Sequence, residues 1–132
     1  MDFEGGLGKT LSIEILELSK TRARARMPVT PAHHQPLGFL HGGASVALAE
    51  HLASFAAHLH VPEGHAAFGV EINASHLRKK QSGVVYAEAK PLRVGRRLQV
   101  WQVEIRDEEG QRISVARVTL AVVPLDTGAK EA

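Results

Sequence analysis

Glu50 is the residue of this chain best placed to do chemistry. It lies about two and a half turns beyond the pair Gly42-Gly43, in an alanine-rich, proline-free run from His41 to His60 whose composition predicts a helix. A lone carboxylate on a solvated helix needs no special account. On a 100° wheel, however, Glu50 shares an arc of about 100° with Ala47, His51, Ser54 and His58, opposite a stripe of Leu48, Leu52, Phe55 and Leu59 spanning roughly 60°. The stripe, with Ala49, Ala53 and Ala56 beside it, is expected to press on a sheet. The Glu50 arc then points away from the core, on a helix that is otherwise unusually apolar for one facing water. If a second subunit covers it, Glu50 is partly desolvated and suited to act as general base or nucleophile.

The start of this helix offers complementary chemistry. The first amides of a helix have no partner within it and carry partial positive charge. Glycine at positions 42 and 43 lets a ligand atom come close, so an N–H there can receive a carbonyl oxygen that is gaining negative charge. A glycine-rich entry to a tightly packed helix explains the same residues without chemistry. Ser54, one turn beyond Glu50, is in reach either of that carboxylate or of its own backbone. Other candidates fall away. The run Gly5-Gly6-Leu7-Gly8-Lys9-Thr10 looks like a phosphate loop, but Phe3 stands where such a loop requires glycine. His33 and His34 are adjacent in a loop and no His-Glu-x-x-His occurs, so no metal site is expected.

The elements that position these residues follow from periodicity. Leu11 to Leu18 and Thr21 to Val29 read as strands about a Ser19-Lys20 turn, the second alternating Arg22, Arg24 and Arg26 with Ala23, Ala25 and Met27. Pro28, Pro31 and Pro36 break the pattern, which makes residues 30–40 a loop carrying His33, His34 and Gln35. After the helix come four strand-like runs: Ala66 to Leu77, Gly83 to Leu92, Leu98 to Asp107 and Gln111 to Pro124. In the third, Gln99, Trp101, Val103 and Ile105 oppose Val100, Gln102, Glu104 and Arg106. The expected architecture is α+β: one domain over 1–132, with one long helix wrapped by an antiparallel sheet of about six strands. Residues 1–9 and 125–132 are expected to be flexible ends.

Composition narrows the function further. A chain of 132 residues holds one core, so a large site has to borrow from a second copy. There is no cysteine, which removes disulfides and thiolate chemistry and fits a reducing, cytoplasmic setting. No apolar run reaches a membrane span and no signal-peptide pattern opens the chain. A net charge of +2, with Tyr86 and Trp101 the only large polar aromatics, argues against nucleic-acid binding through the arginines near residue 95.

The run from Gln35 to Glu50, Gln-Pro-Leu-Gly-Phe-Leu-His-Gly-Gly-Ala-Ser-Val-Ala-Leu-Ala-Glu, resembles the core motif of the hotdog-fold acyl-CoA thioesterases. The likeness is greatest to the branches acting on 1,4-dihydroxy-2-naphthoyl-CoA in menaquinone biosynthesis and on 4-hydroxybenzoyl-CoA. It continues through Gly69 to Arg78, Lys90 to Arg96 and Gln99 to Ile105, and so covers most of the chain. The resemblance implies hydrolysis of an aromatic acyl-CoA to the free acid and coenzyme A. Glu50 would be the catalytic carboxylate and Gly42 the backbone oxyanion donor. Gln35 and His41 would be polar groups about the thioester, and Ser54 a hydroxyl that helps place water or the carboxylate. Glu rather than Asp at position 50 separates the chain from the phenylacetate-pathway branch. His51 and Phe55 fall where relatives vary and flank the acyl pocket. Coenzyme A would lie along His76, Leu77, Arg78 and Lys79, around Arg93, Val94, Gly95, Arg96, Arg97 and Leu98, and near Gly69. It is part of the substrate, and no cofactor or metal is implied. A homodimer would be the smallest active unit, with Gln35 and His41 from one subunit meeting Glu50 of the other, and two dimers would form a homotetramer. The other reading is a non-catalytic acyl-CoA sensor on the same fold.

Overall fold

Alternation decides which face each strand buries. Ala23, Ala25, Met27 and Val29 are buried while Arg24 and Arg26 between them are exposed, and Gln99, Trp101, Val103 and Ile105 are buried as a set. The structure, a computed structural model, describes residues 5–125; residues 1–4 and 126–132, which include most of the expected flexible ends, lie outside the described residues. The elements in chain order are α1 (Leu7–Thr10), β1 (Glu14–Leu18), β2 (Ala23–Val29), α2 (Gly42–His58), β3 (His65–His76), β4 (Gly83–Val94), β5 (Leu98–Arg106) and β6 (Arg112–Pro124). One sheet takes all six strands in the order β1-β2-β4-β5-β6-β3, every pairing antiparallel. α2 touches each of the six strands. The sheet therefore curls around the helix, as a hotdog does.

The buried face of α2 differs from the expected stripe. Leu48 and Leu52 are fully buried, but Phe55 is half-buried and Leu59 is exposed. The face turned to the sheet runs instead through Ala44, Ser45, Ala49, Ala53, Ala56 and Ala57. Alanines let the helix backbone lie close to the strands, and the larger side chains that fill the space, Trp101 and Met27 among them, come from the sheet. One buried polar network joins the two layers. Gln99 accepts from Trp101 Nε1–H at 2.8 Å and donates from Nε2 to the Ala57 carbonyl at 3.2 Å. This satisfies both ends of an amide that would otherwise be costly at complete burial.

Residues 7–9, expected within a flexible start, are part of the helical turn α1. Gly6 enters it at a φ of 72°, and Gly8 is buried against the ring of His51 on α2. In the loop before α2, His33 is nearly fully buried and spent on structure. Its Nδ1 accepts from the Thr30 N–H at 3.2 Å and its Nε2–H donates to the Leu11 carbonyl at 2.7 Å. The Leu40 N–H donates to the Lys80 carbonyl at 2.7 Å, which fixes the loop end just before the helix. Lys80 in turn pairs with Glu108, whose other oxygen accepts from the Val84 N–H at 2.8 Å.

Candidate active site

His41 sets the first turn of α2. In extended conformation as the N-cap, it accepts the Gly43 N–H at Nδ1 (2.8 Å), and its carbonyl takes the Ala44 and Ser45 N–H groups. Its side chain is thus bound to the helix rather than turned to a ligand, with only Nε2 left to face outward. The Gly42 N–H, the first amide of the helix, has no acceptor among the described residues. It opens on a pocket of about 540 Å³ lined by Gln35, Phe39, Ser45, His76, Leu77, Arg78 and Lys79. Gln35 Oε1 accepts from the Leu37 and Phe39 N–H groups, across a turn in which Gly38 has a φ of 87°. Its Nε2 is therefore the group left to donate into the pocket. Two donors about one space suit a carbonyl oxygen that is gaining charge.

His76 lies over Gly42 so closely that a Cβ there would stand 2.7 Å from His76 Nε2, so any larger residue at this helix start would have to push that ring aside. His76 Nδ1 is 3.2 Å from Ser114 Oγ, and that oxygen is also 3.2 Å from the Ser75 carbonyl. A carbonyl only accepts, so Ser114 donates to Ser75 and receives the Nδ1–H of His76. In the tautomer that carries this one proton, Nε2 faces the helix start bare. Ser114, buried on β6, was missed in the sequence. Its one signal was a hydroxyl in register with the inward Ala116, Val118 and Leu120. Beside it, Lys79 Nζ sits 5.0 Å from the Phe39 ring centroid, a cation–π contact at the pocket rim.

Glu50 is elsewhere. It lines a second groove, about 510 Å³, with Leu7, Ala47, His51, Ser54 and Phe55. Its carboxylate rests on β3 over Gly69, where a Cβ would collide with Oε2. The β3–β6 register shifts between Gly69 and Glu71, so the strand is irregular at this seat. Gly69, expected near coenzyme A, thus has a nearer role in making room for the acid. Ser54 Oγ and the Glu50 carboxylate share the groove but are not hydrogen-bonded to each other; the Ser54 carbonyl accepts from His58 Nδ1–H at 2.6 Å. His58 Nε2 takes the Ala67 N–H at 3.3 Å, which ties this part of the helix to β3. His51 stacks obliquely on Phe55 with centroids 4.8 Å apart, and burial pushes its pKa below the ordinary histidine value.

The remaining expected residues occupy a third place. Val94, Gly95 and Arg96 line a pocket of about 640 Å³ with Leu59, His60 and His65, at the far end of α2. Arg93, Arg97 and Leu98 are exposed beside it, and the Gly95 N–H donates to the Leu98 carbonyl at 2.8 Å to close the turn. A single chain therefore holds Gln35, Gly42 and His76–Lys79 together, Glu50 with Ser54 apart from them, and Arg93–Leu98 apart from both.

Comparison with known proteins gives a consistent picture. Residues 37–114 match the thioesterase superfamily. Over 117 residues the chain is 44% identical to a 1,4-dihydroxy-2-naphthoyl-CoA hydrolase of Listeria monocytogenes, covering 89% of this chain and 95% of that protein. It is 44% identical over 119 residues to the proofreading thioesterase EntH of Cronobacter turicensis, covering 90% and 87%. The crystal structure of a Haemophilus influenzae thioesterase superposes with a TM-score of 0.88 at 44% identity, covering 93% of this chain and 87% of that one.

Proposed function

The chain belongs to the thioesterase superfamily and is a thioester hydrolase, and from that premise we propose that it cleaves acyl-CoA thioesters with aromatic acyl groups. The observation that carries the site assignment is the division of α2 into two half-sites. Its N-terminal turn holds oxyanion donors with no acid, and its middle holds an acid with no oxyanion donors. Two copies with their helices side by side and antiparallel bring each Gly42 to the other's Glu50. An unpaired β3 edge supports such pairing, since Phe68 and Val70 there are 53% and 59% exposed. Further association to a tetramer belongs to the same proposal.

In the proposed complex the thioester oxygen accepts from the Gly42 N–H and Gln35 Nε2, with the outward Nε2 of His41 at the rim. The partner subunit's Glu50 then attacks the carbonyl carbon or deprotonates a water that does, with Ser54 beside it. Direct attack expels the thiolate of coenzyme A and leaves a mixed anhydride on Glu50 that water then cleaves to the free acid, whereas attack by water expels the thiolate and gives the acid at once; on either route the thiolate takes up a proton. His76, Leu77, Arg78 and Lys79 lie beside the oxyanion donors where the phosphates would need cations, and Arg93, Val94, Gly95, Arg96, Arg97 and Leu98 of the partner copy complete that path. Among the described residues no helix is long and apolar enough to cross a membrane, and a coenzyme A ester as substrate accords with a cytoplasmic setting. The Listeria relative makes 1,4-dihydroxy-2-naphthoyl-CoA the first substrate to test, and a place in menaquinone biosynthesis depends on that result. Glu50→Ala should lower kcat at least about a hundredfold with coenzyme A affinity nearly unchanged. Near-normal release of thiol by that variant would remove Glu50 from the reaction.

A further inference from the structure

The groove that holds Glu50 ends at a pair of rings, and a second groove begins on their other side. His51 and Phe55, one turn apart on α2, line both spaces. Behind them lies a volume of about 690 Å³ lined by Gly8, Lys9, Ser12, Ile13 and Ile15, roofed by α1 and floored by the start of β1. Ile13 and Ile15 are half-buried, so the space has an apolar floor.

The dividing wall is held from the α1 side. A Cβ on Gly8 would stand 2.7 Å from His51 Nε2 and closer still to Cε1, so the imidazole packs directly on the backbone of that turn. Beyond its tilted contact with Phe55, the ring makes no hydrogen bond or ion pair among the described residues. Burial favours its uncharged form. It therefore acts as a flat apolar surface, and nothing but packing keeps it shut.

We infer that the His51 ring, seated on Gly8, is a partition that limits acyl length, and that the groove behind it is a subsite for the alkyl part of a longer acyl group. A benzoyl-sized group would stop at the rings, while a straight chain would have to pass them to bury its end against Ile13 and Ile15. This inference rests on the acyl-CoA hydrolase reading and deepens it. It also gives a use to the glycine-rich chain start, since no other residue at position 8 leaves room for the ring.

The test is thiol release from benzoyl-CoA and decanoyl-CoA by the wild type, His51→Ala and His51→Phe. His51→Ala should raise the decanoyl-to-benzoyl ratio of kcat/KM by about tenfold or more, beyond what one methylene in a pocket achieves. His51→Phe, which keeps a ring in place, should leave the ratio near the wild-type value. Should His51→Ala not fold, Phe55→Ala opens the same wall from its other ring and carries the same expectation. An unchanged ratio in a folded opening variant that still releases thiol overturns the partition and leaves the hydrolase reading standing. Absence of thiol release by the wild type from every acyl-CoA overturns the substrate reading on which the partition rests.

Discussion

At the scale of single residues, the site is arranged as much by missing side chains as by present ones. Gly42 yields to His76, Gly69 to Glu50 and Gly8 to His51, each because a Cβ would meet the facing side chain. Gly69→Ala is accordingly expected to displace the Glu50 carboxylate. Hydrolysis should fall roughly ten- to a hundredfold while the melting temperature moves little, because Gly69 is exposed on β3 and fills no core space. Paired kinetics and thermal melts check this, and equal losses of activity and stability would count against it. None of these three steric roles can be read from a chain of letters. Gly42 stood out by its place at the helix start and Gly69 through the resemblance, but the reason each is glycine is a neighbour distant in sequence. Ser114 was invisible for the same cause, since its meaning lies in Ser75 and His76 on the adjacent strand.

At the scale of elements, two cross-links hold α2 and its entry loop. Inside, Gln99 joins Trp101 to the last turn of the helix. Gln99→Ala leaves the indole N–H and the Ala57 carbonyl unsatisfied and opens a void, at a cost of roughly 3 kcal/mol that denaturant melts would show. Outside, Lys80 and Glu108 fasten the loop that carries Gln35. The Lys80 ammonium, then backbone N–H groups including that of Val84, hold the Glu108 carboxyl down at about 2 from the ordinary 4.5. A carboxyl depressed by folding contributes its stability above the unfolded value and loses it as pH falls through the folded one. Glu108→Gln should therefore flatten the fall in stability between about pH 4.5 and 2, leaving the variant less stable than the wild type at pH 7 and nearly equal to it near pH 2; midpoints of urea unfolding from about pH 2 to 7 decide it. The strands and the long helix were legible because their periods are regular over many residues. The buried face of α2 was legible only in part, at Leu48 and Leu52 and the alanines beside them. A wheel weighted by large side chains points to Phe55 and Leu59, whereas the closeness of the sheet selects alanine. α1, a single turn among glycines, is too short to show a period at all.

At the scale of the whole molecule, the chemistry is divided by the fold before any partner arrives. The donors at Gln35 and Gly42 and the acid at Glu50 open on different grooves of one chain, and the proposed dimer reunites them. Mixing Gln35→Ala with Glu50→Ala protomers, after subunit exchange, tests this directly. Half of the dimers are then hybrids, each with one whole site of two, so about a quarter of wild-type activity should return from two nearly inactive parents. Activity that stays at the parental level after exchange would place both halves of the site within one chain.

The distance between those two grooves has a meaning for inheritance as well. A protein whose site lies within one chain makes every inactivating allele equivalent when two are carried together. In the proposed dimer a lesion near Gln35 and a lesion near Glu50 spoil different halves, so two alleles that each abolish function would complement when expressed in one cell. Two alleles damaged on the same half would not. Sorting loss-of-function mutations into those two groups would draw the outline of the site by genetics alone.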